Sequence, residues 1–212
     1  MNLKDASYIA EDLRRCIEPV CEPGFNIVGG SVRRKRPDVD DIEIIARPLP
    51  GRPAPEFGNL ESVLFETRLD KILYEMEKSG RLTRGRANGQ RKKEYVINTS
   101  AYGLNTLNPF RVEFYLIIPP AQWGVGCVIR TGPGSPSDHF SKWCVTNRPN
   151  GLLPEGYRVR GLAVWHVDQL DSKLEPRAGE EPLPMPTEQD YFNFLGLPWI
   201  EPPARHAKWA RV

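Results

Sequence analysis

The segment that most constrains this chain is Asp41-Ile42-Glu43-Ile44-Ile45-Ala46, an apolar strand with two acids inside it. Isoleucine on both sides of Glu43 demands a strand that packs into a core, and strand alternation then turns Asp41 and Glu43, two residues apart, to one side. Carboxylates at the edge of a buried strand are costly unless a cation or an arginine compensates them. The segment predicts a sheet with one apolar face and a second face that carries charge for a purpose.

Ten residues earlier stands Gly29-Gly30-Ser31, after the short apolar run Phe25–Val28. A Gly-Ser turn at a strand end lets backbone N–H groups and a hydroxyl approach phosphate oxygens closely, because the glycine has no Cβ in the way. Two carboxylates on one face beside a phosphate-binding turn meet the needs of two-metal phosphoryl transfer. Asp38-Val39-Asp40 competes for the ligand role with the same acid, apolar, acid pattern. Asp41 and Glu43 fit better, because the apolar strand begins at Ile42, and Asp38 and Asp40 then belong to a loop. A second apolar strand with one acid, Glu113, lies in Phe110–Ile118, with Arg111 two residues before it on the same side. From the residues alone, Glu113 is either a structural acid paired with Arg111 or a third member of the site.

The remaining elements follow from periodicity. Ala6, Ile9, Ala10, Leu13, Ile17 and Val20 mark an amphipathic helix over 4–20, ended by Pro23-Gly24. A second helix is expected over 59–78 with Gly80 as its stop, after a loop at 48–55. The basic stretch 81–93 reads as a hairpin or exposed loop and precedes a strand over 94–98. Beyond Pro120, 122–130 is strand-like, 131–138 a loop, 139–147 a short helix and 157–166 a strand. Thr187-Glu188-Gln189-Asp190 forms an N-terminal capping arrangement for a last helix. The order suggests a mixed sheet covered by helices, with a change of texture after Pro120.

Composition excludes some classes. The 40% hydrophobic and 26% charged fractions are ordinary for a soluble globular protein. No stretch approaches the roughly 20 apolar residues of a membrane helix, and no signal peptide is evident, so a cytoplasmic protein is expected. Cys16, Cys21, Cys127 and Cys144 form no CxxC pair, which speaks against a zinc site and for idle thiols. Net charge is only +2, yet Arg33, Arg34, Lys35 and Arg36 are consecutive and Arg81, Arg84, Arg86, Arg91, Lys92 and Lys93 cluster. Such local density suits phosphate. The second cluster is open to two readings, a solvated hairpin or a contact for a primer or template backbone through Arg91, Lys92 and Lys93.

Gly30-Ser31, two arginines and a strand carrying Asp, a hydrophobic residue and Glu resemble the nucleotidyltransferase superfamily signature. Three further pieces narrow the resemblance to the X-family DNA polymerases: Arg111-Val112-Glu113 followed by Pro119-Pro120, Ile129-Arg130-Thr131-Gly132, and the C-terminal run from Glu188 through Leu197-Pro198-Trp199-Ile200 to Arg205. The fold implied is α+β: a nucleotidyltransferase palm, a mixed β-sheet with helices on one face, over 1–120, plus a small α/β thumb subdomain over 121–212. It would be a minimal form without the N-terminal lyase and helix-hairpin-helix regions. The resemblance implies that Asp41, Glu43 and Glu113 are catalytic and bind two Mg2+ ions, with Mn2+ as an alternative. Gly30, Ser31 and Arg34 would contact the nucleotide's triphosphate, Ile129, Arg130 and Gly132 its sugar and base, and Arg111 the primer terminus. The implied partners are gapped or primer-template DNA and a dNTP, handled by a monomer. Two other readings remain: template-independent transfer to RNA, protein or a small molecule, and a non-catalytic nucleic-acid-binding relative.

Overall fold

The computed structural model describes residues 1–50, 67–105, 108–134 and 139–206. The expectations for 51–55, 59–66 and 135–138 lie outside those residues. The chain forms two compact units, one built from Met1–Val28 with Pro37–Leu116, the other from Gly29–Arg36 with the chain from Ile117 onward.

In the first unit, helix α1 spans Leu3–Ile17, opened by Asn2, whose side chain accepts from the Asp5 backbone N–H at 2.9 Å. Its stripe of Ala6, Ile9, Ala10, Leu13 and Ile17 is wholly buried. The helix ends three residues short of the expected position because Pro19 draws Glu18–Val20 into a 3-10 turn. Strand β1 then begins at Cys21 and runs to Val28, earlier than its apolar residues suggest. Pro23 and Gly24, at φ +81°, occupy a register shift between Cys21 and Asn26 on this edge strand rather than a break between elements.

Strands β2 (Asp41–Pro48), β3 (Leu82–Asn88), β4 (Lys92–Ile97) and β5 (Phe110–Leu116) complete a five-stranded sheet of order β1-β2-β5-β4-β3. The β2–β5 pair is parallel and the other three pairs are antiparallel. The basic stretch is thus a hairpin. Helix α2 (Gly30–Arg33) belongs to the second unit, and α3 (Arg68–Lys78) follows Thr67, which forms a reciprocal cap with Asp70. Alternation divides the sheet: Ile42, Ile44, Val112, Phe114, Tyr95 and Ile97 are buried on one face. Helices α1 and α3 cover that face, as shown by the Asn26 amide donating to the Arg14 carbonyl at 2.8 Å and by Lys93 pairing with Asp70 at 2.6 Å. The other face carries Asp41, Glu43, Arg111, Glu113, Lys92 and Glu94.

In the second unit, 123–131 is a helix, α4 (Trp123–Thr131), where the sequence suggests a strand. Every residue from Trp123 to Val128 is buried, so the run has no polar side from which a helical period could be read. Helix α5 is Phe140–Val145. The single strand expected over 157–166 is a hairpin, β6 (Tyr157–Arg160) and β7 (Ala163–His166), turned by Gly161 at φ +58° and Leu162 at φ +62°. Two consecutive left-handed residues match the twist of a two-residue hairpin turn. Helix α6 (Glu188–Leu195) has the expected cap, Thr187 with Asp190, and stops at Gly196. Val125, Val128, Phe140, Val164, Phe192 and Leu195 form the centre of this unit's core.

Candidate active site

The parallel pairing of β2 with β5 decides which acids meet. Glu43 and Glu113 are Cα partners, Asp41 pairs with Arg111, and on the far side of β5 Glu94 pairs with Glu113. Residues paired across neighbouring strands share a face, so Asp41, Glu43 and Glu113 stand together on the face opposite the helices. Asp38 and Asp40 are exposed and lie before β2, where Asp38 bridges Asn2.

Like charges in register raise a question of compensation, and the structure answers it at Glu113. The Lys92 ammonium lies 2.7 Å from Glu113 Oε1, and the Tyr115 hydroxyl donates to Oε2. Burial pushes the Glu113 carboxyl up, but hydrogen bonds from Lys92 and Tyr115, with the charges of Lys92 and Arg111, outweigh it and hold the group below its ordinary range. Asp41 moves the other way: burial and the negative charge of Glu113 raise it, only partly offset by Arg111. Among the described residues no three Asp, Glu, His or Cys side chains converge closely enough to hold a metal ion. The donor set still suits a hard divalent cation, since it is all carboxylate oxygen and Asp41 sits where its own charge is disfavoured by a neighbouring acid.

The residues expected to meet a nucleotide fall in the second unit, and the structure brings them together around Thr131. Arg34 donates from Nη1 to the Thr131 carbonyl at 2.5 Å and from Nη2 to Ser31 Oγ at 3.1 Å. Gly30, at φ +54°, opens the α2 turn that carries Ser31. Ile129 and Arg130 are half-buried at the end of α4. A Cβ at Gly132 would lie 2.6 Å from Phe140 Cδ1 and 2.7 Å from Ser141 Oγ, so that glycine fixes the approach of α5.

Sequence reasoning missed what holds this turn. Arg33 grips Glu188 with two hydrogen bonds, at 3.0 and 2.5 Å, and donates to Thr131 Oγ1 at 2.7 Å. Arg205, fully buried, reaches the same Glu188 carboxylate at 2.6 Å. Burial acts to raise Glu188, and the Arg33 hydrogen bonds with the Arg205 charge hold it low instead. The partners are too far apart in sequence for any local pattern to link them.

The basic hairpin divides. Arg91 is exposed between β3 and β4, Lys92 is committed to Glu113, and Lys93 points to the helix-covered face, buried against Asp70. Lys93 is therefore not presented to a nucleic acid as the sequence suggests. Strand alternation carries the reason, because consecutive residues face opposite ways. Among the described residues no helix is long and apolar enough to cross a membrane.

An α+β chain whose five-stranded mixed sheet bears acids on the face opposite its helices is compatible with the palm-like fold of nucleotide-transferring enzymes. No family model matches the chain. Over 187 residues it is 27% identical to DNA polymerase lambda of Arabidopsis thaliana, a stretch covering 87% of this chain and 32% of that protein. That relative is an X-family member, and this chain spans about a third of its length.

Proposed function

We propose that this chain is a metal-dependent nucleotidyltransferase that adds a deoxynucleotide from a dNTP to a primer 3′-hydroxyl and releases pyrophosphate, in short gap-filling synthesis during DNA repair. The observation that carries the reading is the register of β2 on β5, which puts Asp41, Glu43 and Glu113 on one face. Similarity to a DNA polymerase over 87% of the chain supports it.

In this reading Asp41, Glu43 and Glu113 would hold two Mg2+ ions, or Mn2+. Such ions, when bound, favour the ionised 3′-hydroxyl as nucleophile and neutralise charge on the departing pyrophosphate. Ser31 and Arg34 bind phosphate oxygens, the guanidinium offering paired donors. Arg33, locked on Glu188, keeps their turn in shape. Arg111 lies in register with Asp41 and steadies the primer terminus, while Arg91 meets the DNA backbone.

Primer extension with each dNTP and NTP, on gapped and single-stranded primers in Mg2+ or Mn2+, tests the proposal. Templated dNMP incorporation that disappears in Asp41→Ala is the expected result. Incorporation that ignores the templating base would move the assignment to a template-independent transferase. Binding of gapped DNA without incorporation would make the chain a non-catalytic relative.

A further inference from the structure

Lys92 stands on the charged face of the sheet, in the strand next to the one that carries Glu113. Its Cα faces Tyr115 across β4–β5, and its ammonium lies over the Tyr115 ring, 5.4 Å from the centroid, to reach Glu113 Oε1. The pair is unequal in exposure: the Glu113 side chain is 13% exposed and the Lys92 side chain 38%. A carboxylate so enclosed, with Glu43 and Glu94 in register on either side, is expensive to leave without positive charge. The lysine supplies that charge from the rim, where it can swing into water at little cost. Lys93, next in sequence, cannot, since its side chain is 6% exposed and packed on Asp70.

We infer that Lys92 is the resident counter-cation of this face, occupying Glu113 until a divalent ion displaces it, so that it sets the metal affinity of the carboxylates. The inference rests on Asp41, Glu43 and Glu113 being metal ligands. Lysine is suited to the task because its charge is compact and its four-carbon stem flexible, whereas an arginine fork would bind the carboxylate in fixed geometry. Tyr115, a neutral donor on Oε2, leaves the charge of Glu113 available to the incoming ion. Lys92 is thus a positioning residue: it holds Glu113 in place, and it competes with the metal for one oxygen.

Mn2+ titration of the full chain, followed by the loss of the free-ion EPR signal, reads the effect directly. Lys92→Met, which keeps the stem and removes the charge, is expected to bind Mn2+ roughly tenfold more tightly than the wild type, the scale set by one close charge pair at a partly exposed site. Lys92→Arg should bind no more tightly than the wild type, and Glu113→Gln should lose the ion and erase the gain of Lys92→Met. Should Mn2+ bind and be lost in Glu113→Gln while Lys92→Met binds no better, the inference fails and the metal reading stands. Should Glu113→Gln bind as the wild type does, or neither wild type nor Lys92→Met bind, both fail. A readout on the unmodified protein guards against a misfolded variant. Reductive methylation of Lys92, followed by peptide mass spectrometry, should rise several-fold when Mg2+ saturates the site, with buried Lys93 as the internal reference. Unchanged labelling of Lys92 at saturation overturns the inference.

Discussion

Glu43 and Glu113 are direct partners across the parallel pair β2–β5, so two carboxylates are held in register on one face of a buried sheet. Opposed like charges oppose strand pairing. The apolar partners Ile42 with Val112 and Ile44 with Phe114 interleave them and bury the opposite face. The sheet is held by its covered side, and on the charged side Glu113 is compensated by its partners while Asp41 is kept at a cost that Arg111 only partly offsets.

Asp41 shows that cost most plainly. Burial and Glu113 raise its carboxyl above the ordinary 3.8, so the folded state favours the protonated form more than the unfolded state does. Its contribution to stability is full below pH 3.8 and is lost as pH rises through the raised folded value. Asp41→Asn removes the charge, and its urea midpoint should exceed that of the wild type at pH 7, with the gap closing below pH 3.8. The same substitution should lower primer extension by about a hundredfold or more. A variant less stable than the wild type at pH 7 would contradict the account of Asp41.

Glu113 and Glu188 run in the opposite direction. Both are held below the ordinary 4.5 by cationic partners, so their stabilisation is complete above pH 4.5 and disappears as pH falls through their folded values. Glu188 joins two arginines, one of them fully buried, and Glu188→Ala would leave both without a counter-charge. The expected loss is about 3–5 kcal/mol in chemical denaturation at pH 7. Adding Arg205→Met should recover part of it, because the second change removes the stranded charge. A double variant no more stable than Glu188→Ala would show that the triad does not act as a unit.

What the sequence revealed of this arrangement depended on range. Asp41, Glu43 and the Thr187–Asp190 cap were legible because their logic is local, a two-residue alternation and a three-residue reach. The partnership of Glu43 with Glu113 was not, since strand order and register are settled by contacts distant in sequence. Helix α4 was misread for a different reason. Packed on all sides, it has Gly124 and Gly126 where neighbours come close, and neither glycines nor a continuous apolar run distinguishes helix from strand.

Arg91 and Lys93 differ by two positions and should differ in kind. Arg91→Ala is expected to weaken binding to gapped DNA and to reduce the slope of log affinity against log salt by about one. Lys93→Met should leave that slope unchanged and destabilise the fold by about 1–3 kcal/mol, since Asp70 loses a buried partner but keeps its bonds with Thr67. Equal salt slopes for the wild type and Arg91→Ala would remove the hairpin from the DNA-binding surface.

Gly124 and Gly126 provide a test of the α4 packing, because the same substitution meets backbone at one and a side-chain tip at the other. A Cβ at Gly124 would press into the Thr187 carbonyl and lie 2.9 Å from the Met185 carbonyl oxygen, which also accepts the Gly124 N–H at 3.0 Å. Neither carbonyl can rotate away without disturbing the cap of α6, since the Thr187 carbonyl also accepts from the Tyr191 N–H. A Cβ at Gly126 would meet chiefly the Cδ1 of Ile117, the far end of a flexible side chain. Alanine gains about 1 kcal/mol over glycine inside a helix, and overpacking costs about 1–3 kcal/mol where the surroundings cannot yield. Gly126→Ala should therefore unfold within about 1 kcal/mol of the wild type, as helix propensity offsets the shift of Ile117. Gly124→Ala should lose about 2 kcal/mol or more. Urea denaturation followed by far-UV circular dichroism measures both, and equal midpoints would mean that α4 does not rest on the 185–187 backbone.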